Sequence, residues 1–330
     1  MTQPKSIKEL EERKNEAAIK NGQLEEPSKV ASLPNGEAKK FAFNIFPKNQ
    51  FFSQQFSQLV DKLEISLGMP VWFLVQNDSS HFNSLDSSVT ESFCAAKTEL
   101  KKGEPIALIV ESFGGSARDA YKIALLLRRR CGGFTAVIPK YAKSAATLLS
   151  LGANKIIMSE NAELGPLDVQ IYDEEREKMS SALDEVQALQ RLHVFALESF
   201  DRSMMLIVPR TGKKIDMLLP PVLRFVTDLT EPLINKIDAI HYSQMARALK
   251  VGEEYAARLL QPKYSKNIAQ KISRHLVENY PEHGFVIDSE EANRMGLETC
   301  LMTEEQEAIF ETMAPDLRKY SMLGKLIEVS

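Results

Sequence analysis

Cysteine is scarce in this chain. Cys94, Cys131 and Cys300 stand far apart with no paired spacing. That excludes a disulfide framework and a cysteine-based zinc site, and it fits a reducing compartment. An excess of one charge sign is also missing: 41 Lys and Arg face 45 Asp and Glu, for a net charge of −4. No basic face of the kind that binds nucleic acid is expected. The one tight basic run, Arg128-Arg129-Arg130, closes an apolar helix, where the helix dipole favours cations. No apolar run approaches the ~18 residues needed to span a bilayer. The opening MTQPKSIKELEERKNEAAIKNG is charged and has no apolar signal core. A cytoplasmic protein without a transmembrane segment is the expectation. There is no HExxH, P-loop or complete GxGxxG, so neither a metal nor a nucleotide cofactor is expected.

What the chain does have is apolar residues at 44% over 330 positions, enough for one large domain with additions. Residues 1–40 are polar and broken by Pro27, Pro34 and Asn35-Gly36. They read as a flexible arm carrying a short charged helix near Ile7–Lys20. From Pro70 short apolar runs at 71–76, 106–112, 134–140 and 154–160 read as buried strands. Helical stretches over Ser84–Leu100, Ala117–Arg130 and Ser144–Gly152 alternate with them, which predicts an α/β fold with a mainly parallel sheet. After Asp168 the pattern turns helical, with a stripe of Met179, Leu183, Val186, Leu189 and Leu192. This marks a helical insertion over about 172–280 within a domain spanning 41–300. Its middle, 206–238, is rich in Pro, Met and Leu and reads as a lid or an oligomer contact. FVID (285–288) reads as a closing strand, Ser289 as an N-cap, and 301–330 as a helical tail.

Two segments carry chemistry. In ESFGGSARDAYKIALLLRRR (111–130) a buried strand ends at Gly114-Gly115 and a helix begins at Ser116 or Ala117. Glycines there permit a sharp turn that leaves N–H groups above the strand end, a geometry suited to an oxyanion. Taken alone, it is equally a tight turn. In PKYAKSAATLLSLGANKIIMSENAELGPLD (139–168) Ser144 opens an apolar helix among Ala142, Ala145, Ala146 and Thr147. Its hydroxyl lies near a positive helix end, and the N–H of Ala145 could supply a second oxyanion donor. Taken alone, it is equally an N-cap serine.

The pair, in order, resembles the Gly-Gly loop and nucleophile helix of the Clp peptidases and signal peptide peptidases, and most closely the serine dehydrogenase proteinase family of Clp/crotonase-fold peptidases. Ser112-Phe113-Gly114-Gly115 matches the S-x-G-G loop, and Ala142-Lys143-Ser144-Ala145-Ala146-Thr147 the nucleophile segment. YPEHGFVIDSEEANRMGLET matches the closing strand and its helix, so the likeness covers about 70–300. The resemblance implies a Clp/crotonase-type spiral of ββα units, self-assembly into a homo-oligomer, and hydrolysis of peptide bonds through an acyl-enzyme on Ser144. It also implies an oxyanion hole at Gly115, with Gly114 as its neighbour, and Ala145.

The base that activates Ser144 is open. Where Clp peptidases place a histidine, this chain has Asp168; beside the position of their aspartate it has His283. A rearranged Ser144–His283–Asp168 set is one reading, since imidazole titrates near neutral pH and a carboxylate can orient it. A Ser–Lys dyad using Lys178, placed on the helix after the cleft turn, is the other. Lys143 is adjacent to Ser144 and diverges from it. Two rival functions share the fold: an inactive peptide-binding or scaffold protein, and an acyl-CoA enzyme of the crotonase type.

Overall fold

The computed structural model describes residues 39–330 apart from 78, 79, 81, 169, 174–177 and 330. The expected arm and its helix near Ile7–Lys20 lie outside the described residues. The described chain enters as β1 (Lys40–Phe43), and α1 (Gln54–Leu67) leads to β2 (Val71–Val75). Three further strands follow: β3 (Ile106–Glu111), β4 (Phe134–Ile138) and β6 (Lys155–Met158). They alternate with α2 (Ser87–Ala95), α3 (Ala117–Cys131) and α4 (Ala145–Leu151). The four strands pair in parallel, β2 with β3, β3 with β4, and β4 with β6. Helical crossovers between strands are what parallel pairing requires. The α/β fold expected from the alternation is present.

Because side chains alternate across a strand, this sheet feeds two cores. Trp72, Leu74, Leu108, Val110, Ala136, Ile138 and Met158 face α2, α3 and α4. Val71, Phe73, Val75, Ile109, Val137 and Ile157 face α1 and the C-terminal helix. Phe73 is fully buried against Phe43 and Phe56. Its truncation to alanine would cost roughly 3–5 kcal/mol. Burial on both faces explains why these strands are continuously apolar rather than alternating.

The small strands β5 (Tyr141–Ala142) and β7 (Glu163–Leu164) flank α4 and pair with each other. After β7 the chain forms a hairpin of β8 (Gln170–Asp173) and β9 (Lys178–Ser181) before turning helical. Lys178 therefore sits in a strand, not on the helix expected there. The helices are α5 (Ala182–Thr211), α6 (Ile215–Ile234), α7 (Ala239–Leu260) and α8 (Lys266–Glu278). Met179 of the expected stripe falls in β9, while Leu183, Val186, Leu189 and Leu192 belong to α5, which packs along α6. No helix among the described residues is long and apolar enough to cross a membrane. Arg128, read from sequence as a dipole-favoured cation, has a more specific use: its guanidinium donates to Gly152 O at 2.7 Å and to Leu259 O. One side chain thus ties the C-terminal ends of α4 and α7 to α3.

FVID forms a single antiparallel bridge, Leu164 with Ile287, rather than a strand. The N-cap of α9 (Ser289–Met295) is Asp288, whose carboxylate accepts from Glu291 N at 2.7 Å. Residues 301–329, expected to be a helical tail, pair and pack with the rest of the described fold. β10 (Cys300–Leu301) pairs with β6, and α10 (Glu304–Lys319) covers the second core. β11 (Met322–Gly324) then pairs antiparallel with β2, and β12 (Leu326–Val329) with β1. The six-stranded sheet runs β10-β6-β4-β3-β2-β11 and is mixed, since β11 is antiparallel.

Candidate active site

The site lies beyond the C-terminal ends of the central strands, where parallel sheets leave crevices. β3 continues past Glu111 into Ser112, which is tied to the start of the segment that carries Ser144. Ser112 N donates to Tyr141 O (3.2 Å), and Lys143 N donates to Ser112 O (2.9 Å). Gly114 then takes φ +103° and Gly115 φ +142°, conformations that disfavour side chains. A Cβ at Gly114 would meet Ala145 N and the Ser144 Cβ, each at 2.9 Å. Glycine there lets the turn approach the backbone of Ser144.

Ser144 itself has φ +49° and ψ −117°, the one non-glycine among the described residues with positive φ. It precedes α4 but makes no capping hydrogen bond. A serine placed only to cap would adopt an extended conformation and accept from the second or third helical N–H. Here the backbone carries strain of about 1–3 kcal/mol, and the hydroxyl has no partner among the described residues. Lys143 is buried, and its ammonium is held by Glu163 at 3.0 Å. Thr147, fully buried, accepts from Gly165 N (3.0 Å) and donates to Ala142 O (2.6 Å). These contacts hold the serine from both sides in sequence. Nothing in the pattern of the sequence distinguished Thr147 from its small neighbours.

Gly115 and Ala145 line the same cavity as Ser144 and carry backbone donors. Gly114 O accepts from Leu85 N at 2.8 Å. In a trans peptide the N–H points opposite to the C=O, so Gly115 N–H turns away from Leu85. Neither it nor Ala145 N–H makes a hydrogen bond among the described residues. Gly114 N–H differs: it donates to Ser112 Oγ at 3.0 Å. Gly114 therefore shapes the turn, and Gly115 and Ala145 retain free donors.

Asp168 and His283, 115 positions apart, are brought together by backbone pairing. Leu164 exchanges two hydrogen bonds with Ile287 (2.8 and 3.1 Å), and Leu167 N donates to Leu276 O (2.8 Å). Asp168 is buried, and burial pushes its carboxyl above the usual range, opposed by hydrogen bonds from Ser181 and Leu183 N. Leu183 N reaches its Oδ1 at 3.2 Å. Its other oxygen lies 3.9 Å from His283 Nδ1, beyond a hydrogen bond, and that buried nitrogen has no hydrogen-bond partner among the described residues. Ser144, Gly114, Gly115, Ala145, Asp168 and His283 all line one cavity of about 540 Å³. Lys178 is in β9, and its side chain lies outside the described residues. Among the described residues, no group of three His, Cys, Asp or Glu side chains is placed to hold a metal ion.

A ClpP-like SDH-type serine proteinase domain is found over residues 67–190, a stretch that holds Ser144 and Asp168 but not His283. Two uncharacterized proteins of Methanocaldococcus jannaschii are similar. One is 26% identical over 231 residues, covering 70% of this chain and 62% of that protein. The other is 28% identical over 194 residues, covering 59% of this chain and 51% of that protein. The chain thus spans between half and two thirds of the length of these relatives. A solved structure of a mutant membrane-bound stomatin-specific protease aligns with 71% of this chain and 80% of its own, at 13% identity and a TM-score of 0.38.

Proposed function

We propose that this protein is a serine peptidase of the Clp/crotonase type, a spiral of ββα units that cleaves peptide bonds through an acyl-enzyme on Ser144. The observation that carries the reading is Ser144 itself: strained, uncapped and lining a cavity beside two free N–H groups. In this reading the Ser144 hydroxyl adds to the scissile carbonyl carbon. The negative charge that develops on the carbonyl oxygen is received by Gly115 N–H and Ala145 N–H. His283 takes the serine proton and returns it to the leaving amine as the C–N bond breaks, with Asp168 orienting the imidazole. Water then attacks the ester, and Ser144 recovers its proton.

The 3.9 Å between His283 Nδ1 and Asp168 Oδ2 favours a second reading. In it the cleft binds peptide without cutting, or becomes competent only when those side chains close. Self-association is part of the proposal. Phe195, Met205, Met217 and Phe225 on α5 and α6 are exposed, interleaved with Arg191, Glu198, Asp201 and Arg202. Apolar contacts among charges of both signs suit a second copy of the same surface.

The test is labelling by a fluorophosphonate, read by intact mass, on wild type and Ser144→Ala. One adduct on wild type that is absent from the variant supports an activated Ser144. No adduct on wild type favours the binding reading, and an adduct that persists in the variant rejects Ser144 as nucleophile.

A further inference from the structure

The turn that carries Gly115 N–H needs a reason to hold one conformation, because glycines at 114 and 115 leave many open to it. Leu85 N, on Gly114 O, fixes one side. On the other side a relay of side chains starts at the end of β2. Gly114 N–H donates to Ser112 Oγ at 3.0 Å. While its oxygen accepts that hydrogen bond, the Ser112 hydroxyl donates its own to Gln76 Oε1 at 2.6 Å. Gln76 N is in turn fixed on Glu111 O at 2.8 Å. Both side chains are shut away from solvent, Gln76 at 1% exposure and Ser112 at 0%.

The relay carries a cost. Turning its carbonyl oxygen to Ser112 leaves Gln76 Nε2 buried with no partner among the described residues. Stability alone would favour an apolar side chain or a satisfied amide at 76, since a buried unpaired donor is destabilising. Departures from that rule collect at functional sites. Sequence offers a faint signal: Gln76 is the polar residue that ends the apolar run VWFLVQ.

We infer that Gln76 and Ser112 are positioning residues, which hold the Gly114–Gly115 turn so that Gly115 N–H meets the oxyanion formed on Ser144. The inference rests on the peptidase reading above. Neither residue touches substrate. Their effect falls on the transition state, because the oxyanion exists only there.

The experiment measures fluorophosphonate inactivation rate, peptide kcat and KM, and thermal unfolding for wild type, Ser112→Ala, Gln76→Met and the double variant. Removing one oxyanion donor costs roughly 10²–10³ in kcat, and a donor displaced rather than deleted should cost about 10- to 100-fold. Each single variant is expected to lose that much in kcat and inactivation rate with KM unchanged. The double variant should be no worse than the slower single one, as for two links of one chain. Gln76→Met should unfold near the wild-type temperature, because it removes the orphaned amide with the acceptor. If wild type itself is neither labelled nor active, the peptidase reading fails and the inference falls with it. If wild type reacts and both single variants stay within about twofold of it, the inference alone is overturned. Loss of folding in both variants would assign the pair to stability and overturn it too.

Discussion

Glu111, the last residue of β3, is 3% exposed, and its carboxyl is pushed up to about 7 by burial, against the attraction of Lys140 and Arg318. The ordinary value is 4.5. A carboxyl whose folded pKa is raised contributes most to stability when protonated, below the unfolded pKa. That contribution is lost as pH rises through the folded pKa. The rise from 4.5 to about 7 corresponds to about 3 kcal/mol lost across the window. Glu111→Gln keeps the shape and removes the ionisation. Urea unfolding of wild type and variant should give similar free energies near pH 5, with the variant gaining up to about 3 kcal/mol by pH 8. A control follows from the opposing charges: Lys140→Met should push the wild-type loss to lower stability still at the upper end. A stability difference between Glu111→Gln and wild type that does not change with pH would refute the reasoning. It would mean that Glu111 stays ionised in the fold across the whole range.

Two further outcomes probe the site directly. Gly114→Ala places a Cβ against Ala145 N and Ser144 Cβ at positive φ. It should destabilise by about 1–3 kcal/mol and abolish fluorophosphonate labelling. Thermal unfolding and intact mass read both effects, and normal labelling would show that the turn can move without harm. His283→Ala should slow labelling by roughly 10²–10⁴ while Lys178→Met leaves it unchanged; the reverse pattern would assign the base to Lys178.

The strand–helix alternation was legible because sheets covered on both faces are written as continuous apolar runs, such as VWFLV and IALIV. The glycine pair was noticed because glycine permits sharp turns, and Ser144 because it opens an apolar helix among small residues. Three features were not. The β8–β9 hairpin hid inside a helix-like spacing, since Met179 and Leu183 fit either period until the chain turns at Ser181. The pairing of β11 with β2 joins segments about 250 residues apart, and a three-residue strand such as MLG leaves no periodic trace. Ser144 and Ser116 both precede helices, yet Ser116 caps and Ser144 does not. Composition cannot tell a capping serine from a strained one, because the difference lies in φ.

Three local departures from good chemistry among the described residues bear on the candidate site. The one non-glycine among the described residues with positive φ is Ser144. The two buried side-chain atoms without a hydrogen-bond partner among the described residues are Gln76 Nε2 and His283 Nδ1. The first belongs to the relay that reaches Gly114 through Ser112; the second lines the same cavity as Ser144. Each departure costs stability, and an ordinary core placement would remove it. A protein that only held a peptide would gain nothing from a serine turned out of its capping geometry, since peptide binding uses edges and pockets rather than a free hydroxyl. A nucleophile gains from all three: a hydroxyl with no competing partner, an imidazole nitrogen open to a carboxylate, and a backbone donor set in advance. The concentration of cost at these residues is the physical ground for preferring hydrolysis over binding. Removing the orphaned amide at Gln76 should therefore impair reaction while leaving stability near that of wild type.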